Sequence, residues 1–98
     1  MNLRILPSAI KDLERGRDFY NAQDEDLGPY FLDSLFSDIE SLVIYGGVHS
    51  EHWGYHRLLS KRFPYAVYYL IDDDGIEVWR VLDCRQHPGK LRRALKKK

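Results

Sequence analysis

Residues 55–88, YHRLLSKRFPYAVYYLIDDDGIEVWRVLDCRQHP, decide how this chain folds. Three apolar-rich segments of this stretch, at residues 55–60, 65–71 and 76–83, are rich in aromatic and branched side chains, which predicts three β-strands. The last two segments are separated by residues 72–75, DDDG. An Asp-Gly step between two strands is typical of a β-hairpin, because glycine adopts a positive φ without a steric penalty. The stretch therefore predicts an antiparallel meander.

Alternation along the second of these strands also predicts where its side chains point. One face carries Tyr65, Val67, Tyr69 and Ile71, and the other carries Ala66, Tyr68 and Leu70. Because both sets are apolar or aromatic, we expect most of the rings, Tyr55 and Trp79 included, to lie in the core or to cover the sheet. Stacking of nucleic-acid bases on these tyrosines or on Trp53 is the alternative that the pattern leaves open.

The first half of the chain predicts a short strand followed by two helices. Residues 2–6 alternate and stop at Pro7. Ser8 is a candidate N-cap for a helix that runs from Ala9 to about Asn21. The second helix has apolar residues at three- and four-residue spacing, at positions 31, 32, 35, 36, 39, 42 and 43, and ends before Gly46. The short polar join between the helices predicts an antiparallel helical hairpin.

Together these segments predict one α+β domain over residues 1–98. The elements follow the order β-α-α-β-β-β, and residues 89–98 can add a short basic helix through Leu91 and Leu95. We expect an antiparallel sheet of about four strands, with the first strand at an edge and the helical hairpin packed on one face. Residues 48–54 are expected to form a histidine-rich loop, and the second face of the sheet is expected to stay open.

Length and composition fit a single small globular domain. A chain of 98 residues with 44% apolar and 13% aromatic side chains can build one core. No apolar run approaches the length of a membrane span, and Arg4 and Pro7 interrupt the N-terminal stretch, so neither an anchor nor a signal peptide is expected. The single cysteine, Cys84, excludes an intramolecular disulfide and fits a reducing cytoplasm.

Charge is segregated along the chain although the formal net charge is zero. Residues 1–56 carry ten acidic and four basic side chains, whereas residues 57–98 carry eleven basic and five acidic ones. The cations and the histidine left over from the apolar strand pattern are Arg57, Lys61, Arg62, Arg80, Arg85 and His87. Gathered on an open sheet face, such a set predicts an anionic macromolecular partner, for which nucleic acid is the first candidate.

The order of the elements and the stretch from His56 to Pro88 resemble the RelE/ParE superfamily of bacterial toxins from type II toxin–antitoxin systems. The matching features are the basic residues 57–62, the Phe63-Pro64-Tyr65 opening of the hairpin, and the last strand leading through Arg85. The resemblance implies a cytoplasmic toxin whose partner is a cognate antitoxin protein. It also implies a target, which is messenger RNA on the ribosome for RelE-like members and DNA gyrase for ParE-like members.

The RelE-like branch implies a site for metal-independent RNA cleavage that needs no cofactor. On this chain the resemblance assigns the catalytic roles to Arg85, His87, Arg62 and Lys61. Arginine forks suit the scissile phosphate, and a histidine can transfer protons near neutral pH. The wider nucleic-acid-binding set is Arg57, Lys61, Arg62, Arg85, Arg92 and Arg93. Two positions depart from the pattern, since Tyr65 or Ala66 stands where an arginine is usual and Pro88 where a tyrosine often follows the histidine.

Three functions therefore stay open from the sequence. The chain can be an endoribonuclease that acts on messenger RNA, a ParE-like inhibitor that binds DNA gyrase without chemistry, or an inactive relic that only binds its antitoxin. A metal site is not expected, because the spacings of His49, His52, His56 and Cys84 fit no established zinc pattern.

Overall fold

The computed structural model describes residues 2–96 as an α+β fold with helices on both faces of one sheet. The apolar-rich segments predicted as strands form strands, and segments of three- and four-residue periodicity form helices. The elements in chain order are β1 (Asn2–Ile5), α1 (Pro7–Asn21), α2 (Leu27–Glu40), the single turn α3 (Leu42–Tyr45), β2 (Glu51–His52), β3 (Tyr55–Leu59), β4 (Tyr65–Asp72), β5 (Gly75–Asp83) and α4 (Pro88–Ala94).

The sheet has five strands in the order β1-β5-β4-β3-β2, which is one more than the roughly four strands predicted. The additional strand, β2, lies inside the segment predicted as a loop and pairs with the start of β3. Its turn is built by Trp53 and Gly54, whose φ angles are both positive, at 56° and 88°. Two such residues in a row fit the tight turns of two-residue hairpins.

The first strand lies at a sheet edge, as predicted, and pairs in parallel with β5, so the sheet is mixed. This pairing explains why the β4–β5 hairpin needs a glycine. Gly75 has a φ of 136°, and a Cβ added there would come within 2.3 Å of the backbone oxygen of Asn2. Gly75 therefore both continues the hairpin and lets β1 approach its backbone.

The antiparallel helices α1 and α2 cover one face of the sheet and enclose the main core with it, as predicted. The N-cap prediction was wrong. The helix begins at Pro7, Leu6 occupies the cap position, and the hydroxyl of Ser8 donates instead to the carbonyl of Trp79. Proline at the first helical position explains the earlier start, because a missing amide costs nothing there. The buried apolar side chains of this core are Ala9, Leu13, Tyr20, Phe31, Leu35, Ile39, Leu42, Tyr65, Val67, Tyr69, Ile76, Val78 and Val81.

The second face of the sheet is closed, so the expectation of an open face was wrong. Helix α4 places Leu91 and Leu95 on this face, where both are buried. Their spacing of four residues gives the short helix one apolar side, which must find a surface to cover. The same cluster contains Tyr55, Ala66, Tyr68 and Leu82, in agreement with the predicted alternation along β4. In the part of the chain that the structure describes, no helix has the length and apolarity needed to cross a membrane.

Candidate functional site

The turn between β3 and β4 presents Lys61 and Arg62 at one end of the sheet, and a buried carboxylate on α2 fixes it. Asp38 accepts a hydrogen bond from the Ser60 hydroxyl at 2.7 Å and a longer one from the Lys61 amide at 3.4 Å. Because Asp38 is almost fully buried, this turn has a fixed attachment to the helical layer. The two cationic side chains themselves are exposed.

A cluster of aromatic rings lies beneath this turn and connects it to the end of β5. The ring centroid of Phe63 is 4.9 Å from that of Tyr20 and 5.5 Å from that of Tyr30. Arg62 donates from Nη1 to the Tyr30 hydroxyl at 3.1 Å, and Arg85 donates from Nη2 to the Tyr20 hydroxyl at 3.4 Å. The structure therefore brings Lys61, Arg62 and Arg85 to the same end of the molecule.

Arg85 is already engaged by a carboxylate. Its Nε and Nη2 donate to the two oxygens of Asp83 at 2.9 and 2.7 Å, which is a bidentate pair. The hydrogen bond from Arg85 holds the pKa of Asp83 below its ordinary value, against the opposing effect of partial burial. Burial and the neighbouring Asp83 charge raise the pKa of Tyr65 to about 12. The groups around Arg85 are thus the neutral phenol of Tyr65 and the carboxylate of Asp83. Because Asp83 pairs with Arg85, the guanidinium is not a free cation.

His87 has a structural role as the N-cap of α4. Its Nδ1 accepts a hydrogen bond from the amide of Gly89 at 2.9 Å. In the neutral ring the proton is therefore on Nε2, because Nδ1 is the acceptor. The cap fixes the ring at the start of the helix while leaving the side chain exposed. Arg92 and Arg93 follow in the last turn of the same helix and are exposed.

Arg57 lies apart from the sheet-end residues, on the face covered by α4. It is paired across the strands with Tyr68, and its Nε is buried without a hydrogen-bond partner in residues 2–96. The guanidinium is also near Cys84, whose pKa is raised because burial outweighs the opposing effect of this positive charge. Cys84 therefore stays a thiol, and nothing in this arrangement makes it a nucleophile.

Arg80, which the strand pattern placed among the free cations, is tied to the helices. It donates from Nε and Nη2 to Asp12 of α1 at 2.7 and 2.9 Å, and from Nη1 to the carbonyl of Ala94 at 3.0 Å. The grouping of all the cations on one open face is thus not found. Lys61, Arg62 and Arg85 lie at the sheet end, Arg57 lies under α4, Arg80 is bound to Asp12, and Arg92 and Arg93 lie on α4.

Sequence reasoning missed the residues that position this site, namely Asp38, Tyr20 and Tyr30. A signal for Asp38 was present, since it lies three residues after Leu35 and seven after Phe31, within the buried stripe of α2. Asp12 likewise falls between Ala9 and Leu13 on the buried side of α1. A carboxylate in an apolar stripe must find a hydrogen-bonding partner, which is the property both residues show.

We call the exposed surface formed by Phe19, Tyr30, Lys61, Arg62 and Arg85 the sheet-end surface. Phe19 and Tyr30 are 50% and 44% exposed, which is high for rings of this size. Aromatic and arginine side chains side by side are the residues that carry most binding energy in protein interfaces. The arrangement is therefore suited to binding a macromolecule.

Comparison with known proteins identifies the relatives of this chain. Residues 3–88 match the model of the family described as the ParE toxin of the type II toxin–antitoxin system parDE. Among solved structures, one described as the chromosomal ParDE TA system from P. aeruginosa superposes with a TM-score of 0.74 at 19% identity, covering 83% of this chain and 92% of that one. At this identity the likeness shows the fold. No protein in the curated set matches significantly.

Proposed function

Because this chain belongs to the ParE toxin family of type II toxin–antitoxin systems, we propose that it arrests growth by binding DNA gyrase through the sheet-end surface, without covalent chemistry. A cognate antitoxin is the partner that keeps such a toxin inactive. A gyrase target places the active toxin in the cytoplasm.

The observation that carries the proposal is the state of Arg85 and His87, two of the four residues expected to take part in catalysis. RNA cleavage without a metal needs a base, an acid and a cation that converge on one phosphate. Here Arg85 is occupied by Asp83, and Nδ1 of His87 caps α4. Exposed rings beside Arg62 favour a protein contact instead. The catalytic roles of Arg85, His87, Arg62 and Lys61 in RNA cleavage stay a prediction, which an RNA-cleavage assay tests.

The test is a supercoiling assay with purified gyrase and the purified chain. We expect inhibition that is weakened about tenfold or more by Arg62→Ala and by Tyr30→Ala, the size of effect typical of interface anchors. Lys11→Ala is the matched control, since Lys11 is an exposed cation on α1 that is not part of the sheet-end surface. His87→Ala should leave the inhibition intact.

Two results would overturn the proposal. The first is cleavage of RNA, with or without ribosomes, that is lost in Arg85→Ala, because it would establish the nuclease function. The second is unaffected growth when the chain is expressed without its antitoxin, which would identify an inactive relic.

A further inference from the structure

A groove of about 480 Å³ lies between the β2–β3 turn and α4, and none of its lining residues belongs to the sheet-end surface. This volume lies in the range of small-ligand sites, about 300–1,000 Å³. The groove is lined by Trp53, Gly89, Arg92, Arg93, Leu95 and Lys96. Its composition is thus one large ring, one apolar side chain and three cations.

Trp53 occupies a conformation that is rare for a bulky residue. Its φ is 56°, in the left-handed region that Gly or Asn adopts more easily. The ring is 41% exposed, and its inner side lies against Tyr68, with centroids 6.4 Å apart and an angle of 32° between the planes. A turn that needs only a positive φ does not require an indole. A strained and exposed aromatic side chain instead points to a function for the ring.

Arg92 and Arg93 lie on α4 and Lys96 follows its end, and this part of the chain is hydrogen-bonded to the sheet. The hydroxyl of Tyr55 donates to the carbonyl of Leu95 at 3.0 Å, and Arg80 donates to the carbonyl of Ala94 at 3.0 Å. Arg92, Arg93 and Lys96 form no ion pair with a carboxylate of residues 2–96, and residues 85–98 contain no acidic side chain. The groove is therefore preorganised and positively charged before any ligand arrives.

We propose that this groove binds a single strand of nucleic acid, with one base stacked on Trp53 and the flanking phosphates held by Arg92, Arg93 and Lys96. A ring beside cations on a rigid support is how proteins bind single strands, because every base has a π face and every nucleotide a charge. A base paired within a duplex cannot present its face to the indole. An acidic peptide would use the cations but has no need of a ring held in a strained turn. The proposal is independent of the gyrase contact.

The test is a titration of a labelled single-stranded oligodeoxythymidine by fluorescence anisotropy at several salt concentrations. We expect Arg92→Ala and Arg93→Ala each to lower the salt slope, log K against log salt, by about 0.7, the value of one phosphate contact on a single strand. Trp53→Asn keeps a residue suited to the turn and removes the ring, and should weaken binding about tenfold or more without changing the slope. Trp53→Phe should retain most of the affinity.

Lys90→Ala is the matched control, because Lys90 is an exposed cation on the same helix that does not line the groove. Its affinity should stay within about twofold of the parent, since one cation outside the contact contributes little. If Lys90→Ala and Arg93→Ala lose the same affinity for the oligonucleotide, the attraction between the cations and the strand is unspecific and the proposal is wrong. So would a duplex or an oligoglutamate peptide that binds as tightly as the single strand, or no binding at low salt. Circular dichroism of each variant excludes misfolding, and the two arginine variants decide the matter if Trp53→Asn does not fold.

Discussion

At the scale of single residues, the buried carboxylate of Asp12 connects the helical layer to the sheet. Its carboxylate accepts two hydrogen bonds from Arg80 and one from the amide of Val81 at 2.9 Å. Only 2% of its side chain is exposed, and the hydrogen bond that Arg80 donates to Asp12 raises the pKa of Arg80. Arg80 also donates a hydrogen bond to the Ala94 carbonyl. The Asp12–Arg80 ion pair therefore connects α1, β5 and α4.

We therefore expect Asp12→Ala to lower the free energy of unfolding by about 3–5 kcal/mol, because it leaves a partly buried guanidinium without its counter-charge. Urea denaturation followed by circular dichroism measures the change. Glu14→Ala, on the exposed side of the same helix, is the control and should stay within about 0.5 kcal/mol of the parent. A loss below about 1 kcal/mol for Asp12→Ala would mean that water replaces the carboxylate.

The same residues show what a sequence can and cannot predict at this scale. Alternation placed Tyr65 and Tyr68 correctly on opposite faces, because burial follows the local period. Arg80 was expected to be free, and that expectation was wrong because its partner is 68 residues away in the chain. No local pattern encodes a contact of that separation.

At the scale of elements, the segment between α3 and β2 depends on a tyrosine hydroxyl of β4. The amide of Gly47 donates to Tyr69 Oη at 2.9 Å, and Nδ1 of His49 lies 2.5 Å from the same oxygen. Burial and the neighbouring His56 lower the pKa of His49, so the neutral ring is favoured. Neutral Nδ1 can accept from the tyrosine, whereas a protonated ring would compete with Gly47 as a donor.

Acid should therefore loosen this segment. The pKa of His49 is lower in the folded state than in the unfolded chain, so its contribution to stability is present above about pH 6.5 and is lost as the pH falls through the folded-state value. We expect the hydrogen-exchange protection of the Gly47 amide to fall between about pH 7 and pH 5. In His49→Leu this pH dependence should shrink, although the segment loses one hydrogen bond at every pH.

His52→Asn is the control for this prediction, since His52 is a nearby histidine in β2 whose ring contacts the Ser50 hydroxyl, at 3.2 Å, rather than Tyr69. The groups that face His49 are Tyr69 and His56, and Glu51 lies 4.0 Å from the far nitrogen of His56. If His52→Asn removes as much pH dependence as His49→Leu, the assignment to His49 is wrong.

The elements themselves were largely predictable, and the exceptions have physical causes. Long periodic segments gave the helical hairpin, the meander and the order of the elements. Strand β2 was missed because two residues carry no period, and its pairing depends on the turn at Trp53. The parallel pairing of β1 with β5 joins segments that three helices and three strands separate in the chain, and sequence periodicity does not describe contacts of that separation.

At the scale of the whole molecule, α4 decides which surfaces are available. The family match ends at Pro88, the first residue of this helix. By covering the second sheet face, α4 separates Arg57 from the cations of the sheet end and adds its own. The cationic residues were thus predictable from the sequence, but their division among separate places was not, because it depends on where a seven-residue helix packs.

A chain that ends at His87 should therefore be strongly destabilised. It would expose the cluster around Tyr68 and lose the burial of Leu91 and Leu95, worth about 1.5–3 kcal/mol each. It would also leave Arg80 and Tyr55 without their acceptors at the end of α4. Compared with the usual stability of a small domain, about 5–15 kcal/mol, this loss is large. Urea denaturation and binding of a hydrophobic dye measure it.

Point variants separate the contribution that the apolar side chains of α4 make to stability from the contribution of its charged side chains. Leu91→Ala should lower the free energy of unfolding by about 2–3 kcal/mol, since the leucine is buried against the sheet, whereas Arg92→Ala should change it by less than about 0.5 kcal/mol. A shortened chain with the urea midpoint of the parent would contradict the prediction. It would mean that the second sheet face is stable when uncovered, and that α4 serves the groove beside Trp53 rather than the core.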